Sequence, residues 1–208
     1  MTKKEIALNA IEALKKEYPD AICSLVYTDP LQLLIATRLA AQCTDARVNI
    51  VTPALFDRFK TVDDFANSTA DEVAEYIKSC GLYKTKSKDI VAMAQSLKEN
   101  FNGVVPDNLD DLITLPGIGR KTANLIMGDI FKKPAVVVDT HFIRITRRLG
   151  LHTLTDQKKI EFELRKLLLP NESNDFCHRI VLHGRAVCTA RSPKCENCCM
   201  KEFCRKKI

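Results

Sequence analysis

Four cysteines lie close together in the last part of the chain: Cys188, Cys195, Cys198 and Cys204, with six, two and five residues between them. Thiolates are soft ligands, and four of them on one loop can converge on a single centre at small cost in closure entropy. The spacing suits zinc or an iron–sulfur cubane. Zinc loops usually pair two Cys-x2-Cys knuckles, and only Cys195 and Cys198 form one, so the spacing leans to iron–sulfur. Cys199 becomes a ligand only if the register slips by one. Arg191, Lys194, Lys201, Arg205, Lys206 and Lys207 surround the cysteines, and either grip phosphates or only solvate the loop.

The second chemical signal is Leu115-Pro116-Gly117-Ile118-Gly119-Arg120-Lys121-Thr122-Ala123. Two glycines around one apolar residue, between two short helices, allow a tight turn that aims backbone N–H groups outward at a helix start. That end carries partial positive charge and spare donors, which suits a phosphate. The third glycine and the preceding strand of a dinucleotide fold are missing, and Gly119-Arg120-Lys121-Thr122 lacks the upstream glycine of a P-loop. A helix-hairpin-helix remains. At its second helix Lys121 meets the helix dipole and the charge of Arg120. Desolvation by a bound polyanion pushes the same way, so its pKa should fall and free an amine nucleophile; the alternative is a phosphate contact alone. Asp139, eighteen residues later, either stabilises developing positive charge or caps the helix that starts at Thr140.

Helices must position these groups, because apolar residues recur with helical period almost throughout. Ile6, Ala7, Ile11 and Leu14 share one face of a first helix. Asp29-Pro30 reads as cap and first turn of an apolar helix through Leu39. Thr44-Asp45 opens another that Pro53 should kink or shorten. A helix from Ser68 to Cys80 should stop at Gly81 in a left-handed turn. Others are expected at Thr85–Asn100, Asn108–Thr114, Arg120–Phe131, Thr140–Leu149, Asp156–Leu169 and Asn174–Val187. Only Ala135–Val138 reads as extended, too little for a sheet. The class is all-α.

Composition narrows the function. At 208 residues, 46% hydrophobic and 28% charged, the chain is a folded protein rather than a disordered tail. Its longest apolar runs are far below the roughly 20 residues that span a bilayer. The start Met1-Thr2-Lys3-Lys4-Glu5 lacks a signal-peptide pattern, so the expectation is a cytoplasmic protein, nucleoid-associated if bacterial or archaeal. Nine cysteines in that compartment argue for metal or catalysis over disulfides; Cys23, Cys43, Cys80 and Cys177 fall on apolar helical patterns and read as small core residues. Residues 1–100 carry 13 Lys and Arg against 14 Asp and Glu, residues 101–208 carry 19 against 12. The basic second half fits a polyanion partner.

The hairpin, the segment Val138-Asp139-Thr140-His141 and the four-cysteine spacing together resemble the endonuclease III family, DNA glycosylases and apurinic/apyrimidinic lyases of the helix-hairpin-helix superfamily. Ala41-Gln42-Cys43-Thr44-Asp45 and Gly81-Leu82-Tyr83 resemble that family's damage-pocket and wedge segments. The likeness runs in order over nearly the whole chain.

The resemblance implies a six-helix barrel over residues 22–133, with the hairpin motif at about 108–131. A second, iron–sulfur subdomain would join residues 1–21 to 134–208, with the cluster loop at 188–204 and a DNA-binding cleft between the two. It implies one [4Fe–4S] cluster per chain on Cys188, Cys195, Cys198 and Cys204. Lys121 becomes the Schiff-base nucleophile and Asp139 a catalytic carboxylate. Gln42 and Leu82 become a polar plug and an apolar wedge that fill the gap left by an extruded base. Asp45 is a candidate contact to that base, and His141 either faces the pocket or a phosphate or is structural. Gly117, Gly119, Arg120, Arg191 and Lys194 would meet the DNA backbone. The implied activity is removal of oxidised pyrimidines from duplex DNA followed by β-elimination at the abasic site, by a monomer with no membrane partner. The alternatives are an adenine-mismatch glycosylase without lyase chemistry, disfavoured by Lys121 and by an end at Ile208 without a further recognition domain, and a non-catalytic DNA-binding module with a structural metal.

Overall fold

Eight of the eleven helices in the computed structural model, which describes residues 1–206, begin at a Thr, Asp or Asn whose side chain accepts a first-turn amide. Each such cap supplies an acceptor that the first turn otherwise lacks and contributes about 1 kcal/mol. Lys207, expected beside the cysteine loop, and Ile208 lie outside the described residues. The described residues are helices and loops with no strand, and they divide into two compact units.

The unit Ser24–Phe131 is organised on α2 (Pro30–Ala40), whose Leu31, Leu33, Leu34, Ile35, Ala36 and Leu39 are all buried. A helix apolar on nearly every side belongs at the centre of its unit. Around it stand α3 (Asp45–Arg58), α6 (Tyr83–Phe101) and α8 (Arg120–Asp129). Short helices α4 (Val62–Ala66) and α5 (Ala70–Ile77) pack on α6, and α7 (Leu109–Leu112) packs on α8.

Three local expectations differ from this structure. Pro53 does not shorten α3, which runs on to Arg58: it removes one helical donor, and buried Val48, Thr52 and Leu55 hold the helix on both sides of it. The left-handed residue after α5 is Leu82 (φ 59°), not Gly81, and α5 itself ends at Ile77. Gly81 serves a close approach instead, since a Cβ there would lie 3.3 Å from the Gln42 carbonyl oxygen. Helix α4 was not expected; its five residues are too few to show a period, although Thr61 and Asp64 form a capping box.

The unit Met1–Cys23 with Lys132–Ile208 holds α1 (Lys3–Glu17), α9 (Thr140–Leu149), α10 (Gln157–Leu167) and α11 (Ser173–Ala186). Helix α1 lays Ile6, Ala7, Ala10, Ile11 and Leu14 against α10 and α11. Helices α9 and α11 meet at Gly184, where a Cβ would sit 2.5 Å from His141 Nδ1 and 2.9 Å from Arg144 Nη2. Only glycine allows that approach. Ala135–Val138 is buried without forming a strand, and the Val137 N–H donates to Cys177 Sγ at 3.2 Å. An interior backbone donor thereby finds a partner outside any ladder.

Candidate functional site

The hairpin is seated on an ion pair. Gly117 has φ 76°, and a Cβ on it would come within 2.7 Å of Arg38 Nε and 3.0 Å of Asp89 Cβ. Arg38 Nε donates to Asp89 Oδ2 at 2.8 Å, so α2 and α6 clamp the turn from below. Leu115 and Ile118 anchor it in the core. Gly119 is the N-cap of α8 and brings no side chain to the first-turn amides. Arg120 and Lys121 are the first two residues of that helix, and Lys121 is exposed.

Gln42 and Leu82 occupy two neighbouring turns of the same unit, and both are exposed non-glycine residues with positive φ, 54° and 59°. Such backbone costs about 1 kcal/mol or more and persists where the surroundings hold it. Asp45 opens α3 behind Gln42, and its Oδ2 accepts from Ser24 Oγ at 2.6 Å. Among the three helices without a side-chain cap, two start at Leu82 and Gly119. Departures from local rules collect where function outweighs local stability.

In the other unit Asp139 is the N-cap of α9, with Oδ1 accepting the Phe142 amide at 2.7 Å. His141 Nδ1 lies 3.1 Å from Arg144 Nη2 on the α9–α11 seam. Arg191 and Lys194 are exposed on the cysteine loop.

Cys188, Cys195, Cys198 and Cys204 line one cavity of about 380 Å³, open mouth included, with Arg148, Lys194 and Lys201 around them. Cys199 does not line it; burial pushes the Cys199 thiol up to about 11. Burial also pushes the Cys198 and Cys204 thiols up, and Cys188 and Cys195 add to both shifts. Burial thus favours the neutral thiol at Cys198 and Cys204, and a cationic centre would compensate their thiolates. The four thiols around one cavity are a soft donor set that fits an iron–sulfur cluster.

Sequence comparison places residues 35–170 in the HhH-GPD superfamily of base excision DNA repair proteins and residues 188–204 in the iron-sulfur binding domain of endonuclease III. The chain is 45% identical over 204 residues to endonuclease III of Synechocystis sp., covering 98% of this chain and 93% of that one. The chain belongs to the endonuclease III family. Two solved structures agree, each at TM-score 0.92 and 39% identity over 99% of this chain: a non-covalent endonuclease III–DNA complex, 96% covered, and a trapped endonuclease III–DNA covalent intermediate, 97% covered.

As a family member the protein is a base-excision repair enzyme, a DNA glycosylase and abasic-site lyase that binds DNA and carries an iron–sulfur cluster of the [4Fe–4S] type. The endonuclease III assignment also brings forward residues that sequence reading passed over. Arg148 is buried, with Nη1 3.2 Å from Cys188 Sγ and 2.8 Å from the Thr189 carbonyl. Its Nη2 donates to the Ala190 carbonyl at 2.9 Å. Arg144 Nε donates to the Cys188 carbonyl at 3.1 Å. His183, whose pKa burial lowers to about 4, lies with Nε2 3.4 Å from Cys198 Sγ. A signal existed for two of them: Arg148 falls in register with apolar Ile145, and His183 with apolar Phe176 and Ile180, on the buried faces of their helices. Long polar side chains on such faces have partners.

Proposed function

We propose that this enzyme removes oxidised pyrimidines from duplex DNA and then cuts the strand by β-elimination, with Lys121 as the nucleophile. The observation that carries the reading is Lys121 itself, exposed in the first turn of a helix whose glycine cap leaves that turn to a ligand. Lys121 Nζ forms a bond to the sugar C1′ as the glycosidic C–N bond breaks and the base departs. Ring opening gives the Schiff base, loss of a C2′ proton follows, and the 3′ phosphate leaves.

Asp139 stabilises the positive charge that grows on the sugar, while its Oδ1 keeps the α9 cap. Gln42 and Leu82 take the place of the extruded base, and the hydrogen bond from Ser24 orients Asp45 to meet that base. Gly117, Gly119, Arg120, His141, Arg191 and Lys194 contact the phosphate backbone, a sequence-independent grip. Cys188, Cys195, Cys198 and Cys204 hold the cluster, which when bound cross-links residues 188–204 through iron–thiolate bonds. The enzyme acts as a monomer in the cytoplasm, at the nucleoid in a bacterial or archaeal cell.

The test is to incubate the purified holoprotein with duplexes carrying one oxidised pyrimidine or one abasic site. Strand breaks on both are expected. Base release with the strand intact would reduce the enzyme to a monofunctional glycosylase, and no reaction on either would leave a binding protein.

A further inference from the structure

Cys43 and Cys80 come from the two turns that carry Gln42 and Leu82. The turns touch: a Cβ on Gly81 would lie 3.3 Å from the Gln42 carbonyl oxygen, and Cys43 and Cys80 are the residues next to these two in the chain, near enough for Cys43 to raise the Cys80 pKa. Cys80 is fully buried, whereas Cys43 is half-exposed. Beneath them Lys86 is fully buried, with Nζ donating to the Leu39 carbonyl at 2.8 Å. Burial, with Cys43 close by, pushes the Cys80 thiol up to about 11, and the charges of Lys86 and Arg47 offset this only in part. A thiol pair on touching turns, with one accessible and one sheltered member, has the layout of an attacking thiol and a resolving thiol.

We propose that Cys43 and Cys80 are an oxidisable dithiol site, which a hydroperoxide converts to a disulfide that ties the Gln42 turn to the Leu82 turn. Cys43, the accessible member, reacts first. Its sulfur bonds to the terminal peroxide oxygen as the O–O bond breaks, and the thiol proton passes to the departing oxygen, so that Cys43 sulfenic acid forms and water or an alcohol leaves. Cys80 Sγ then attacks Cys43 Sγ; the S–O bond breaks, and the departing hydroxide takes the Cys80 thiol proton to leave as water. The two thiols lose two electrons and the peroxide gains them. A dithiol reductant reverses the change. The bridge restrains both turns, and its effect on base removal rests on the roles proposed above for Gln42 and Leu82; its formation does not.

The holoprotein is treated with hydrogen peroxide, alkylated and digested, and its linked peptides are mapped by mass spectrometry while visible absorbance follows the cluster. The expected product joins Cys43 to Cys80, with two hydrogens lost per chain and absorbance retained. Cys43→Ser, a half-exposed and mild change, should abolish the link, and Cys80→Ala should leave Cys43 as a sulfenic acid. A map without the Cys43–Cys80 link, or with bridges drawn only from Cys188, Cys195, Cys198 or Cys204, overturns the proposal. Linked protein should release an oxidised pyrimidine more slowly than reduced protein and recover with dithiothreitol; an unchanged rate overturns the restraint of the turns. A reduced protein inactive on every damaged duplex would instead refute the proposed repair activity and leave the mapped bridge standing.

Discussion

Arg148 Nη1 lies 3.2 Å from Cys188 Sγ, and the same guanidinium donates to the Thr189 and Ala190 carbonyls. One buried cation from α9 thus serves a cysteine sulfur and the backbone of the loop that carries it. Replacing it by Met keeps the bulk of the side chain and strips three acceptors of their donor. Each lost charged hydrogen bond costs about 1.5–3 kcal/mol where the partner stays buried. Arg148→Met should therefore lower the thermal midpoint and speed loss of the visible absorbance, both read on the same sample.

Lys121→Gln should abolish borohydride trapping of a covalent protein–DNA adduct while affinity for a damaged duplex persists. Trapping at the wild-type level would move the nucleophile to another amine.

Asp139→Asn should lower single-turnover base release by about 10² or more, equivalent to roughly 3 kcal/mol of transition-state stabilisation. The thermal midpoint should hardly move, because asparagine caps as well as aspartate and the Phe142 amide keeps an acceptor. A normal rate would leave Asp139 a cap and nothing more.

About four irons per chain and a broad visible band are expected, lost on replacing Cys188, Cys195, Cys198 or Cys204 by Ser and kept in Cys199→Ser. Metal analysis decides it: stoichiometric zinc without sulfide would exclude the cluster.

Gly117→Ala places a Cβ 2.7 Å from Arg38 Nε at φ 76°. The backbone strain alone should cost about 1–3 kcal/mol, and the Arg38–Asp89 pair must shift as well. Loss of stability should come with weaker binding to damaged and undamaged duplexes alike. A stable variant with normal binding would remove the hairpin from the interface.

The helices were legible where the signal is local. Asp29-Pro30 starts α2 and Thr140–Leu149 is helical as the sequence implies, because cap and period are contained in the segment itself. The cysteine loop was legible for the same reason. What depends on approach between distant segments was not. Cys43 reads as a core residue on its helical pattern, yet it is half-exposed, because α2 ends at Ala40 and leaves it in a turn. Gly81 reads as a helix stop, yet it serves contact with Gln42. Arg148 declares its role only once α9 and the cysteine loop are folded against each other.

The unit that contains the cysteine loop is assembled from both ends of the sequence, and α1 finds its partners α10 and α11 only there. During synthesis the apolar face of α1 leaves the ribosome well before α10 and α11 and waits while the more than a hundred residues between them follow. The stretch Ser24–Phe131 is contiguous and can complete its core in that interval, since domains fold as units as they emerge. The order of translation therefore separates the two events: the hairpin-bearing unit ripens early, and iron delivery must come late, after α1 has been recaptured.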